Sequence, residues 1–185
     1  MQKLFLSIYI LPIGYTFLGL LFLLAVWSYL HHWYESLSLG RKALCKLVVS
    51  TLLLLWAFAI LYQTVLSRTS GDLIVHRDFF HHLKDYLFHD GNKELLRTLW
   101  MNVLLFVPGG LLLEALWPRC FPRWVCIPLT IILLTALSVG IEATQYRYAL
   151  GVVEADDVLC NGLGAALGVM IHECAVLLSR KFPHK

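Results

Sequence analysis

Long stretches without a charged residue limit what this chain can fold into. Five of them occur, at Leu4–Leu30, Leu47–Ser67, Thr98–Leu113, Trp124–Ile141 and Val158–Ile171. A helix needs about 20 mostly apolar residues to cross the hydrocarbon core of a bilayer. The composition agrees, because only 15% of the residues are charged, against about 25% in soluble domains. The chain is therefore predicted to be an integral membrane protein.

Two of the five stretches reach a spanning length only by including a carboxylate. The third must continue through Glu114 to Trp117, and the fifth through Glu173 to Ser179. We predict an all-α fold, a polytopic transmembrane bundle of about five helices. Residues 1–46 would form the first helix and a cytoplasmic loop. Residues 47–179 would form the main transmembrane domain with an outer loop at 68–97, and residues 180–185 a basic cytoplasmic tail.

The positions of lysine and arginine predict the orientation, because these residues are enriched in loops on the cytoplasmic side. The basic residues after the first span, after the third span and in the tail are Arg41, Lys42, Lys46, Arg119, Arg123, Arg180, Lys181 and Lys185. These segments lie on one side of a five-span protein, so the C-terminus is predicted to be cytoplasmic and the N-terminus outside. The net charge of +3 then reflects topology and gives no reason to expect nucleic-acid binding.

Polar side chains are predicted to converge at the outer ends of the last three spans. Glu142 and Gln145 lie three residues apart, and Asp157 and Asn161 lie four apart. Both spacings place the two residues on one face of a helix. The full set of predicted ligand-binding residues is Asn102, Glu142, Gln145, Arg147, Glu154, Asp157 and Asn161. Asp156 belongs to the same layer.

The chemistry of this layer leaves three uses open. Glu142, Asp157 and Asn161 carry oxygens that suit a hard cation such as Mg²⁺, which could hold a lipid-linked phosphate. Glu142, Asp156 and Asp157 could instead act as general acid or base. The third reading is a hydrogen-bonded cluster that fixes helix packing and does no chemistry.

Small residues in two spans predict close helix packing. Gly164 and Gly168 lie four residues apart on one face of the fifth span, which favours close association with another helix. In the third span, Pro108 precedes two glycines. A kink or a break in that helix is expected there.

These residues resemble the signature of the VanZ-like family of bacterial membrane proteins. Its members tend to carry Tyr and Arg at the end of an early span, Asn before Phe-x-Pro-x-Gly, then Glu-x-x-Gln, and a loop ending in Asp before Asn-x-x-Gly. Over about Leu52–Ile171, the corresponding residues here are Tyr62, Arg68, Asn102, Phe106, Pro108, Gly110, Glu142, Gln145, Asp157, Asn161 and Gly164. The resemblance implies a multi-pass protein of the bacterial cell membrane.

The resemblance also implies a role in the cell envelope, since the founding member is associated with low-level resistance to the glycopeptide teicoplanin. The expected function is binding of a lipid or lipid-linked envelope component at the outward-facing polar site, in envelope homeostasis or teicoplanin tolerance. The alternative is a membrane-embedded, metal-dependent enzyme acting on a lipid phosphate or a lipid-linked cell-wall intermediate. A third possibility is a scaffold that contacts its partner through Gly164 and Gly168.

One position departs from the family pattern. Members often carry an arginine early in the last loop, where this chain has Gly151. Arg147, one helical turn earlier, is the candidate to replace it.

Overall fold

Helices make up most of the computed structural model, which describes residues 2–76, 93–118 and 120–181 and the side chains of 18–76, 97–118 and 120–181. The helices are α1 (Gln2–Glu35), α2 (Leu39–Leu61), α3 (Lys93–Leu116), α4 (Arg123–Tyr148) and α5 (Ala155–Lys181). A π-helical turn at Tyr62–Leu66 extends α2. Two short strands, β1 (Ile74–His76) and β2 (Val152–Glu154), complete the described elements. The predicted all-α fold is confirmed.

Four of the described helical segments are long and apolar enough to cross a membrane. They are Leu39–Leu66, Arg97–Leu116, Arg123–Tyr148 and Ala155–Lys181. The third and fifth predicted spans therefore do include Glu114 and Glu173. The first predicted span lies in α1, where the side chains of residues 2–17 are outside the description. Most of the predicted outer loop, residues 77–92, also lies outside it.

The chain divides into two compact units. The first contains the chain up to Lys42 and from Ile171 onward, and the second contains Ala43–Met170. In the first unit, α1 bonds to the end of α5. The indole N–H of Trp27 donates to Nδ1 of His172 at 3.1 Å, and Nδ1 of His31 lies 3.0 Å from the hydroxyl oxygen of Ser179.

In the second unit, glycines let α3 and α5 pack backbone against backbone. A Cβ added at Gly164 would overlap the carbonyl oxygen of Val103, and one at Gly168 would overlap that of Val107. On α3, a Cβ at Gly110 would overlap the carbonyl oxygen of Ala165. The helix that approaches the Gly164–Gly168 face is thus α3 of the same chain.

Trp56 joins α2 to α3 in the core of the second unit. Its ring meets that of Phe106 edge to face, with centroids 5.6 Å apart, and its indole N–H donates to the carbonyl oxygen of Leu105 at 2.9 Å. Gly109 leaves room for the ring, since any side chain there would collide with it. The helix continues through Pro108. Of the predicted kink or break at Pro108, the break is therefore wrong, and the glycines after it serve packing.

Candidate functional site at the turn between α4 and α5

A tight turn brings the end of α4 back to the start of α5. Ala149 ends α4 in the left-handed conformation with φ 49°, and the N–H of Leu150 donates to the carbonyl oxygen of Gln145 at 2.9 Å. Gly151 follows with φ 106°, a conformation that favours glycine. Asp156 and Asp157 then lie in the first turn of α5, where the positive end of the helix dipole stabilises negative charge.

The connection between α4 and α5 also contributes a strand to a small parallel sheet. β1 pairs with β2 in the register Ile74 to Val152 and His76 to Glu154. The N–H of Gly71 also donates to the carbonyl oxygen of Ala149 at 2.9 Å. The segment after α2 is thereby tied to the turn. These strands were not predicted, because three-residue strands inside loops leave no alternating pattern to detect.

Asn102 and Asp157 connect α3 to α5. The amide nitrogen of Asn102 donates to Oδ1 of Asp157, and both residues are half-buried. A hydrogen bond to a charged acceptor is stronger than one between neutral groups. The structure thus brings Asn102 together with the polar residues of α5, as its position in the third span suggested.

Glu142 faces the same region from α4. Its side chain is buried, with 9% of the residue exposed, and its Oε2 accepts a hydrogen bond from the backbone N–H of Glu154 at 3.1 Å. Asp157, Arg68 and Glu154 all lie within electrostatic range of Glu142. Carboxylates from two spans therefore lie within electrostatic range of each other, and Arg68 is near Glu142.

Gln145 links α4 to the π-helical turn. Its amide nitrogen donates to the carbonyl oxygen of Thr64 at 2.9 Å. The N–H of Arg68, which an α-helix would direct to Thr64, donates instead to Val65. The wider turn thus leaves the Thr64 carbonyl for Gln145 to bind. No feature of the sequence predicted the π-helical turn or the contact of Gln145 with Thr64.

Asn161 lies one helical turn after Asp157 on α5, where α5 packs against α4. Its amide nitrogen donates to the hydroxyl of Ser138 at 2.8 Å. Its carbonyl oxygen Oδ1 is buried and has no hydrogen-bond partner within the described part of the chain. The residue as a whole is only 7% exposed. Asn102, Glu142, Gln145, Asp157 and Asn161 together are called the turn site below.

Two arginines lie near the turn between α4 and α5. A guanidinium nitrogen of Arg68 donates to the carbonyl oxygen of Leu150 at 3.3 Å and would lie 3.8 Å from a Cβ at Gly151. Arg147 is exposed, and its guanidinium lies 6.0 Å from the ring centre of Tyr148. Arg68 is therefore the arginine placed beside Gly151.

The turn site has a limited capacity for a metal ion. Among the residues that the structure describes, no three Asp, Glu, His or Cys side chains come together in a group that could hold one. The predicted Mg²⁺ donors were Glu142, Asp157 and Asn161, of which only two are carboxylates. Oxygen donors of this kind fit a hard cation, but most of its ligands would have to come from water or a bound phosphate.

A comparison with models of protein families shows the family to which the chain belongs. A family model described as VanZ/LLP1 matches residues 17–177, most of the chain. The chain belongs to the VanZ-like family. No curated protein and no solved structure matches it. The matched range of this VanZ-like chain contains every residue of the turn site.

This VanZ-like chain holds a second polar network at the other ends of α3 and α4. Buried Glu114 accepts from the guanidinium of Arg123 at 3.2 Å and from the hydroxyl of Thr130 at 2.7 Å. Thr130 in turn accepts from the indole N–H of Trp117 at 2.7 Å. A buried carboxylate is costly unless it is paired and hydrogen-bonded. This network explains how the third span can contain Glu114.

Proposed function

We propose that this VanZ-like membrane protein binds the polar part of a lipid or lipid-linked envelope component at the turn site. We further propose that the site faces the outside of the cell and that binding serves envelope homeostasis or low-level teicoplanin tolerance. The observation that carries the proposal is that Glu142, at the end of one spanning helix, lies within electrostatic range of Asp157, at the start of the next, and of Arg68. Ionisable side chains within spans are expensive and usually mark a functional pathway or site.

The position of the turn site supports a lipid ligand. The site lies where α4 ends and α5 begins, so a headgroup at the membrane surface would reach it without leaving the bilayer. Exposed Tyr146 and Tyr148 stand at the same end of α4. Tyrosine is enriched at membrane interfaces, where its ring sits at headgroup level.

Enzymatic action on a lipid phosphate is the second candidate, favoured by the same carboxylate pair. It would need a metal ion held largely by the substrate phosphate, given the donor set described above. A scaffold role through Gly164 and Gly168 has less support, because α3 of the same chain already covers that face. Purified protein that releases phosphate from a lipid substrate only with Mg²⁺ would favour the enzyme.

Expression of the full chain in a teicoplanin-susceptible bacterium tests the proposal. The native chain should raise the inhibitory concentration of teicoplanin or change the lipid composition of the membrane, and Glu142→Gln should abolish the effect. Thr144→Val is the matched control, because Thr144 lies on α4 but bonds only to the backbone of Gly140 among described contacts. Unchanged susceptibility and composition with all three proteins, at equal expression, would refute the proposal.

A further inference from the structure

One hydrogen-bond acceptor of the turn site has no donor within the described part of the chain. The amide nitrogens of Asn102, Gln145 and Asn161 each donate to an oxygen of the protein. The oxygen of Asn161, in contrast, is buried without a partner in the described part of the chain. A buried carbonyl oxygen without a donor destabilises the folded protein. A ligand that donates a hydrogen bond would satisfy this oxygen.

The orphan oxygen belongs to a residue one helical turn from Asp157. Asn161 follows Asp157 by one turn on the same face of α5, and its amide is held by Ser138, which precedes Glu142 by one turn on α4. Residues four apart in a helix lie one above the other. The hydrogen bond between Asn161 and Ser138 therefore joins α4 to α5 one turn below the level of Glu142 and Asp157. The unpartnered oxygen of Asn161 thus lies along the same contact between α4 and α5 as Glu142 and Asp157.

The acceptor atoms of the turn site select the chemistry of the ligand. Carboxylate and amide carbonyl oxygens only accept hydrogen bonds, whereas a primary ammonium group has three N–H donors and a positive charge. Resting on the function proposed above, we infer that the turn site holds the primary ammonium group of a lipid headgroup, with Asn161 Oδ1 and the Glu142 carboxylate as acceptors.

Arg68 supplies the complementary part of this recognition. Its exposed guanidinium lies at the rim, bonded to Leu150 and within electrostatic range of Glu142. A headgroup that carries a phosphate a few bonds from its amine can meet Arg68 and the acidic pair together. Guanidinium groups are suited to phosphate recognition. A quaternary ammonium has no N–H donor, so the site should discriminate against it.

Short-chain lipids offered to the purified full-length protein in detergent test the inference. The probes are dihexanoyl phosphatidylethanolamine, dihexanoyl phosphatidylcholine, dihexanoyl phosphatidylglycerol and free ethanolamine, and the readout is the change in tryptophan fluorescence on titration. The ethanolamine lipid should bind at least about tenfold more tightly than the other two lipids. Ethanolamine alone should bind more weakly than its lipid, because it lacks the phosphate that meets Arg68.

Substitutions of Asn161 test whether its acceptor oxygen determines the lipid preference, as distinct from an effect on folding. Asn161→Ala should lose the preference for the ethanolamine lipid, whereas Asn161→Asp, which keeps an acceptor oxygen, should retain it. Thr144→Val is the control, because the Thr144 hydroxyl bonds only to the carbonyl oxygen of Gly140 among described contacts and does not hold Asn161. It should bind the ethanolamine lipid like the native chain. Size-exclusion elution and circular dichroism confirm that each variant is folded.

The outcomes distinguish this inference from the proposed function. Equal binding of all three lipids, lost in Glu142→Gln, would overturn the ammonium ligand while leaving lipid binding at the site intact. Free ethanolamine binding as tightly as its lipid would overturn the lipid source. Absence of binding by every probe to the folded native chain would overturn the inference, and the teicoplanin and lipid-composition assay would then decide the proposed function by itself.

Discussion

Asn102 shows how a single side chain fixes two spanning helices at the turn site. Its amide donates to Asp157, so α3 and α5 are held in register where the carboxylates meet. The helical spacing in the sequence could predict that Asn102, Glu142 and Asp157 share a layer. It could not predict the pairings, because these depend on rotations and on carbonyls such as that of Thr64 that only the fold exposes.

The Asn102–Asp157 bond should be measurable as a coupling between two variants. Asn102→Ala and Asp157→Ala should each lower the thermal stability of the protein in detergent, and their effects should differ from additivity by about 1–2 kcal/mol. The control pairs Asn102→Ala with Thr51→Val, since exposed Thr51 bonds to Leu47 within α2. That pair should be additive. Additivity in the first pair would show that the bond contributes nothing.

The close packing of α3 on α5 positions the residues of the turn site that these two helices carry. Glycines on both helices allow carbonyl oxygens to approach where a side chain would collide. The uncharged stretches and the Gly164–Gly168 spacing predicted the spans and the close face. The identity of the partner helix, the strand pair and the π-helical turn could not be predicted, because tertiary contacts determine each of them and local composition does not.

Gly164→Ala should destabilise the protein by about 1–3 kcal/mol, because the added methyl group forces α3 and α5 apart. Gly140→Ala is the control. Gly140 lies on α4 with open space around the position of a Cβ, so alanine there should be neutral or stabilise the helix by up to about 1 kcal/mol. Thermal unfolding in detergent measures both. Equal effects of the two substitutions would contradict the close approach at Gly164.

Thr130→Val tests the Glu114 network that joins α3 to α4. The substitution keeps the shape but leaves a buried carboxylate oxygen and the Trp117 indole N–H without their shared hydroxyl. It should cost about 1–3 kcal/mol of stability. Thr144→Val should cost less, because that hydroxyl bonds only to a carbonyl of its own helix among the described contacts. A cost at Thr144 equal to that at Thr130 would contradict the network.

At the scale of the whole molecule, the family identifies the class of protein and the charge distribution predicts its orientation in the membrane. The chain is a VanZ-like membrane protein, and its matched range spans both polar networks. The basic residues near Lys42 and Arg123 would place the Glu114 network toward the cytoplasm and the turn site outside. The function proposed for the turn site depends on that orientation.

Reporter fusions test the orientation. Green fluorescent protein fused to the C-terminus should fluoresce, because the C-terminus is predicted to be cytoplasmic. Alkaline phosphatase fused after Gly71, in the predicted outer loop, should be active, since that enzyme folds only outside the cytoplasm. The reciprocal fusions should be inactive and serve as controls. The opposite pattern would place the turn site inside and refute an extracytoplasmic ligand.

Lipid retained by the purified full-length protein tests the central claim most directly. Native mass spectrometry of the native chain and of Glu142→Gln, extracted from the same bacterial membranes, measures the fraction of protein that carries a lipid. We predict a defined lipid adduct on the native chain and a loss of at least about tenfold in that adduct with Glu142→Gln. The same lipid at the same occupancy on both proteins would contradict a ligand site at the turn.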